Sequence, residues 1–328
     1  MSLDADIIVD RRRMRRKLTF WRVFAILLAI GAVIAVGVGL RGQGNGVLTA
    51  GTAGSIARVT ITGLIRGDQQ RVEALERLAR SPAKAVIVHI NSPGGTTSGS
   101  EELHDSIKRL KEQKPTVVVV DGLAASGGYI AALAADHIVA QETSLVGSIG
   151  VLFQYPNVAD LLKMLGIKVE EIKSSPLKAS PNGFEPTSPE ARAAIESIVL
   201  DSYAWFRDLV KARRQLDDAG IERVADGRVF TGRQAAGLKL VDQLGDERTA
   251  IAWLAKEKNI DPNTPVRDFR LRDRLSDLPF LHTAAVVMLE AVGLGAFARH
   301  VEEWGALQAV ERLSLDGLLA LWHPPVAN

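Results

Sequence analysis

The chain has no cysteine. That excludes disulfides, thiolate metal sites and a cysteine nucleophile, and it leaves the redox compartment open. Histidine is scarce, with six in 328 residues. None falls in H-E-x-x-H or another ligand spacing, so neither a metal nor a cofactor is expected. The net charge is only +2, so nothing global points to nucleic acid. Aromatics make up just 5% of the chain, but 47% is hydrophobic. That is enough to bury a sizeable core in one or two domains.

The charge that exists is unevenly placed. Arg11, Arg12, Arg13, Arg15, Arg16 and Lys17 form a basic cluster. Trp21 and the uncharged run Val23–Leu40, about 18 residues, follow it. The run is long for a signal-peptide core, and no A-x-A site follows at once. Six neighbouring cations argue against a buried core helix. The reading is a basic cytoplasmic tail over 1–17 and an uncleaved single-pass anchor over 18–41. Residues 42–56 form a Gly- and Thr-rich linker, and everything beyond lies across the membrane.

Strand and helix patterns then alternate. Ala57–Ile65, Ala85–Ile90, Thr116–Val120 and His137–Ala140 read as strands. Asp68–Arg80, Ser98–Glu112 and Ser126–Ala135 read as helices, the second with Ser98 and Glu101 as a capping box. Val158–Leu165 is helical, and Ser188–Lys211 is a long helix with Ser188 as cap and Pro189 at its first position. Thr231–Gly237 and Asp246–Lys258 follow. This order implies βαβ units, a mostly parallel sheet, and sites at the strand C-terminal ends. The turns Asn91-Ser92-Pro93-Gly94-Gly95 and Ala125-Ser126-Gly127-Gly128 both follow strands at that edge and are expected to converge. Leu278–Arg299 and Glu302–Trp322 look amphipathic or apolar, so 261–328 reads as a helical extension for an oligomer contact or a membrane surface.

Ser126 sits at a strand-turn-helix junction between small residues. Its hydroxyl is exposed at a helix start, where the following backbone N–H groups can face a developing oxyanion. Such a nucleophile needs a base. The histidines at 89, 104, 137, 282, 300 and 323 lie outside polar, Gly-rich loops; His89 is in a strand pattern whose alternation leaves its direction open. A lysine serves only if its amine is neutral near pH 7, which costs about 4–5 kcal/mol relative to a free lysine. Desolvation away from carboxylates supplies that. Lys178, in a loop with no acid until Glu185, fits best; Lys163 and Lys168 look solvated, and Lys173 neighbours Glu170 and Glu171.

The strings N-S-P-G-G at 91–95, A-A-S-G-G-Y at 124–129, G-S-I-G-V at 147–151, G-R-V-F-T-G-R-Q-A at 227–235 and G-L-K-L-V-D at 237–242, with Lys178 beyond the serine, resemble the signal peptide peptidase A (protease IV) family, in its short form. N-S-P-G-G alone also occurs in Clp subunits and crotonase-like proteins. A Clp-type triad, however, would place a histidine near Ile149–Tyr155, and none is there.

The resemblance implies a crotonase/Clp-like α/β fold of stacked βαβ units over 57–260, preceded by the transmembrane helix. It implies a Ser–Lys peptidase with Ser126 as nucleophile and Lys178 as base and then acid. Ser148 would orient the lysine, and the N–H groups of Gly127 and of Gly94 or Gly95 would form the oxyanion hole. It further implies a homo-oligomeric ring with sites shared between protomers, and signal-peptide remnants as substrates in a bacterial inner membrane, with the catalytic domain outside the cytoplasm. Two departures stand out: Ile130 replaces a second tyrosine, and Lys178 has Pro-rich surroundings. The competing readings are a general envelope quality-control protease, a catalytically silent scaffold, and a crotonase-type acyl-CoA enzyme. A silent scaffold would lack Ser126 or Lys178, and an acyl-CoA enzyme would normally lack the anchor.

Overall fold

The computed structural model describes residues 54–271 and 318–322. The expected anchor and the Leu278–Arg299 segment lie outside the described residues. Among the described residues, no helix is long and apolar enough to cross a membrane.

The β-branched runs become the centre of an eight-stranded sheet. Strands β1 (Ile56–Thr62) and β2 (Ala85–Ser92) pair in parallel. The short β3 (Gly94–Thr96) leaves this sheet, and β4 (Thr116–Ala125) lies parallel to β2. The first half of β4 then pairs with β5 (His137–Ala140), while its last three residues pair with β6 (Leu145–Gly147). Beyond these come β7 (Leu152–Phe153), β8 (Val229–Thr231), β9 (Gln243–Leu244) and β10 (Val266–Asp268). The order is β10-β1-β2-β4-β5-β9, with β8 antiparallel on β6. A separate antiparallel sheet, β3-β11-β7, contains β11 (Leu318–Leu321).

Continuous apolar strands require cover on both faces. Val86, Val88, Ile90, Val118 and Val120 face one core, with helices α1 (Gln69–Ala79), α2 (Thr97–Gln113) and α3 (Gly127–Ala132). Leu103, Ile107 and Leu110 give α2 its buried stripe. On the other face, Ala85, Ile87, Val117 and Val119 pack on Ala250 and Leu254 of the chain's last described helix. Between these come α4 (Ala159–Met164), α5 (Pro189–Arg214), α6 (Asp218–Val224) and α7 (Gly232–Gly237), and that last helix is α8 (Glu247–Lys258). Only three residues of α5 are buried, Ala191, Phe206 and Val210.

Three expectations are corrected. The cap of α2 is Thr96, whose hydroxyl accepts from Gly99 N–H at 3.1 Å, so the helix starts before Ser98 and the Ser98/Glu101 box does not form. The turn at 91–95 is a strand end followed by β3, because β11 supplies β3 with a partner. The described part of the C-terminal extension is strand, not helix: β10 pairs with β1, and β11 pairs with β3 and β7. Four other helices begin where the sequence places them, with Asp68, Ser188, Thr231 and Asp246 as caps, while α6, capped by Asp217, is unexpected.

His104 fixes the helix behind the serine. It is buried on α2, and its Nδ1–H donates to Ile130 O of α3 at 2.8 Å. Burial pushes its pKa below the ordinary value of 6.5, against the opposing pull of that hydrogen bond and of Asp105, and with Arg213 and Lys108 adding to the lowering. Burial lowers His137 in the same direction. A histidine with a depressed folded-state pKa takes its proton first in the unfolded chain, so stability falls as pH drops below about 6.5. The urea midpoint should therefore decline from pH 7 toward pH 5. His104→Gln should remove part of that slope, with His137 retaining its share.

Candidate active site

The nucleophile candidate is placed by a bulge and a fork. The β2–β4 register shifts between Ile90 and Ser92, so Ser92 comes to lie opposite Ala124. This carries the end of β4 level with the 91–95 turn. Ala125 pairs with Gly147 of β6. Ser126 then leaves the strand with φ 52° and ψ −116°, a strained conformation for a residue with a side chain. Its N–H donates to Gly147 O at 2.7 Å, and its C=O accepts from Tyr129 and Ile130 of α3. The helix is anchored by Tyr129, fully buried, whose hydroxyl donates to Leu240 O at 2.7 Å. Burial raises that phenol well above the usual range.

The two glycine turns meet, as expected. Gly94 has φ +103°, and a Cβ there would stand 2.0 Å from Ala320 O and 2.7 Å from Gly127 N. A Cβ on Gly127 would stand 2.1 Å from Ser100 Oγ and 3.0 Å from Ala320 O. Gly94 N–H already donates to Ser92 Oγ at 3.1 Å, while Ser92 Oγ donates to Gly63 O at 2.7 Å. Of the two expected donors on this turn, Gly94 is thus engaged by Ser92, and Gly95 pairs with Ala320 of β11. Ser148 emerges from β6 beside Ser126. It is buried, has φ 51°, and donates its N–H to Arg228 O at 2.8 Å. The G-R-V-F-T string at 227–231 thus holds the Ser148 strand through β8, and G-L-K-L-V-D holds α3 through Leu240.

The single chain does not bring Lys178 to Ser126. Ser126 Oγ has its hydrogen-bond contact with Gly150 O, at 3.5 Å, the outer limit for such a bond. Lys178 is exposed, in a turn closed by its N–H on Ser175 O at 3.1 Å. Glu185 accepts from Lys173 at 2.6 Å, Ser180 and Asn182. Hydrogen bonds donated to Glu171 first, and then to Glu185, hold the Lys173 ammonium above the ordinary lysine value. Lys173 is thereby unfitted as a base.

The described histidines are engaged elsewhere. His89 lies on the α8 side of the sheet, between Asp121 at 2.9 Å and Glu247 at 2.8 Å. His137 stacks on Trp253, and His104 is spent on Ile130.

Sequence reading missed the supporting residues Ser92, Ser100, Tyr129 and Thr96, and it missed β11 altogether. Asn91-Ser92-Pro93 invites a turn, and no local signal announces a partner strand more than 200 residues away. Gly94→Ala should unfold the two-turn contact and cut peptide hydrolysis more than tenfold. Gly54→Ala, at φ +67° with nothing within 4 Å, should cost about 1 kcal/mol and leave turnover unchanged. Equal losses in the two variants would show that the close approach is not required.

The model for peptidase family S49 matches residues 108–261, and the Clp protease model matches residues 65–144. A Synechocystis sp. protein is 36% identical over 214 residues, covering 65% of this chain and 77% of its own. A Methanocaldococcus jannaschii protein is 33% identical over 268 residues, 76% of this chain and 85% of its own. Both are named as putative proteases. The chloroplastic serine protease SPPA of Arabidopsis thaliana is 33% identical over 248 residues, 74% of this chain and 37% of that longer one. The fold is Clp-like α/β with a mostly parallel sheet, and the Gly-lined serine turn lies within the matched region; the chain belongs to peptidase family S49 and is a serine peptidase.

Proposed function

We propose that the chain is a membrane-anchored endopeptidase in which Ser126 is the nucleophile and Lys178 of a neighbouring copy is the base. The observation that carries this reading is the strained Ser126 elbow, locked against the Gly94–Gly95 turn. In the proposed reaction the Ser126 hydroxyl adds to the peptide carbonyl as its proton passes to a neutral Lys178 amine. The tetrahedral oxyanion is received by the N–H groups of Gly95 and Gly127, each such donor typically worth about 3–4 kcal/mol of barrier. The C–N bond then breaks, and the lysine returns the proton to the leaving amine. Water, deprotonated by the same amine, hydrolyses the acyl-serine ester. Ser148, at the same level on the neighbouring strand, orients the lysine.

An exposed lysine with no hydrogen bond to the serine in one chain supports a site completed by a second copy. Docking would also bury the amine, which general-base chemistry requires. The segment around Lys178 carries the surface that favours such docking. Met164 is 82% exposed, and Leu165, Ile167, Ile172, Leu177 and Phe184 are also bare. The basic N-terminal cluster and the apolar run behind it support an anchor in a bacterial inner membrane, with the peptidase domain outside the cytoplasm. Apolar signal-peptide remnants left in that membrane are the proposed substrates.

Ser126→Ala and Lys178→Ala should each abolish hydrolysis of an apolar peptide while leaving the thermal melt intact. If sites form head to tail around a ring, equal mixing of the two inactive variants should restore about a quarter of wild-type activity. Full activity in either single variant would refute the dyad. No recovery after proven subunit exchange would refute sharing.

A further inference from the structure

The strand that carries the serine changes partner once, and one hydroxyl sits at the change. Val120 of β4 pairs with Ala140 of β5, and Leu123 pairs with Leu145 of β6. Two residues of β4, Asp121 and Gly122, therefore stand against four of the other segment, 141–144. The surplus is taken up in a turn, closed by Ser144 N–H on Gln141 O at 3.1 Å. From outside, α7 pins that turn. Arg233 N–H donates to Glu142 O at 3.2 Å, and a Cβ on Gly232 would stand 2.0 Å from Gln141 O. On the inner side the Ser144 hydroxyl stands 2.9 Å from Val120 O and 3.1 Å from Asp121 O, sharing its one proton between them. Ser144 is buried. Buried carbonyls need a donor, and a side chain gives it where β4 has left β5 and has not yet reached β6. Asp121 is thereby held twice, at its carbonyl by Ser144 and at its carboxylate by His89.

From this point both segments run to the site. Leu145–Gly147 lead from Ser144 to Ser148, and Gly122–Ala125 lead from Asp121 to Ser126. The two form a short ladder with a rung at each end. The Ser144 hydroxyl is the first rung, and Ser126 N–H on Gly147 O, at 2.7 Å, is the last. We propose that Ser144 is a positioning residue for hydrolysis: its hydroxyl sets the height at which β6 presents Ser148 beside Ser126. This rests on the reading of Ser126 as nucleophile and of Ser148 as the group that orients the lysine. Ser144 acts through β6 and, being buried, does not meet a peptide. Its loss therefore falls on kcat and leaves KM in place.

The test uses the full chain and an apolar fluorogenic peptide, with kcat referred to folded protein. Ser144→Ala should lower kcat by about tenfold or more, as expected for a small misplacement of reacting groups, with KM unchanged. Ser144→Thr keeps the hydroxyl and should recover most of kcat. Ser144→Val has nearly the same shape without the hydroxyl and should not. Should the alanine and valine variants fail to fold, Ser144→Cys preserves the size with only a weak donor and takes their place. In a Ser148→Ala background, Ser144→Ala should cost less than about twofold more, because the two act as one unit. A hydroxyl that only supports the fold would lower the melting temperature, leave kcat per folded molecule unchanged and show no coupling to Ser148. Wild-type kcat in Ser144→Ala, a threonine no better than valine, or an undiminished loss in the Ser148→Ala background would each overturn the proposal. Ser126→Ala separates the two levels. Activity retained there overturns the nucleophile and the positioning role together, whereas a dead Ser126→Ala beside a fully active Ser144→Ala overturns the positioning role and spares the nucleophile.

Discussion

A contact without room for a methyl group governs this molecule. The turn after β2 and the turn after β4 approach until a Cβ on Gly94 would stand 2.7 Å from Gly127 N, while Ser100 Oγ leaves no room for one on Gly127. Everything around them serves that approach. The bulge between Ile90 and Ser92 raises the end of β4 to the right level, and Ser92 ties its turn to Gly63. Ser126 accepts an unfavourable φ of 52° at the point of contact. Such strain persists only where surrounding structure over-determines it. Here the Gly147 hydrogen bond behind the serine and the buried Tyr129–Leu240 bond below it supply that determination.

The sheet separates chemistry from charge. Its α8 face carries a network in which Arg58 grips Glu247 through two nitrogens, and Glu247 in turn meets His89, which also meets Asp121. The bond from Arg58 is the main reason the Glu247 carboxylate sits below the ordinary range, with burial opposing it. These groups satisfy one another across β1, β2, β4 and α8, and none is turned to the serine side. The histidine whose orientation the strand pattern left open is thereby accounted for as structural. Around Ser126 the fold supplies backbone dipoles and small residues instead.

The parallel sheet and most helix starts were legible because their causes are local. AVIVHI and TVVVV have the composition of doubly covered strands, and Asp68, Ser188, Thr231 and Asp246 announce helices through their own side chains. The serine elbow was legible for the same reason: small residues between two apolar runs leave few other conformations. Ser98 misled because Thr96, two residues earlier, offers an equivalent hydroxyl, and only the pairing of β3 decides where the strand stops. Leu318–Leu321 was illegible because four apolar residues fit a helix face as well as a strand, and the strand exists only through β3 and β7. Lys178 could be nominated from the lack of nearby acids. Its separation from Ser126 within one chain depends on how a long exposed segment is laid out, which no local pattern encodes.

The fork in β4 has a mechanical meaning. Thr116–Val120 are laced to β2 and β5 in the deep core, whereas Leu123–Ala125 exchange β5 for β6 and, through it, β8. The serine therefore rides on a short cantilever whose root is clamped and whose outer side is held by two three-residue strands. The spacing between Ser126 and Ser148 is set within the arm itself, by the pairing of Ala125 with Gly147.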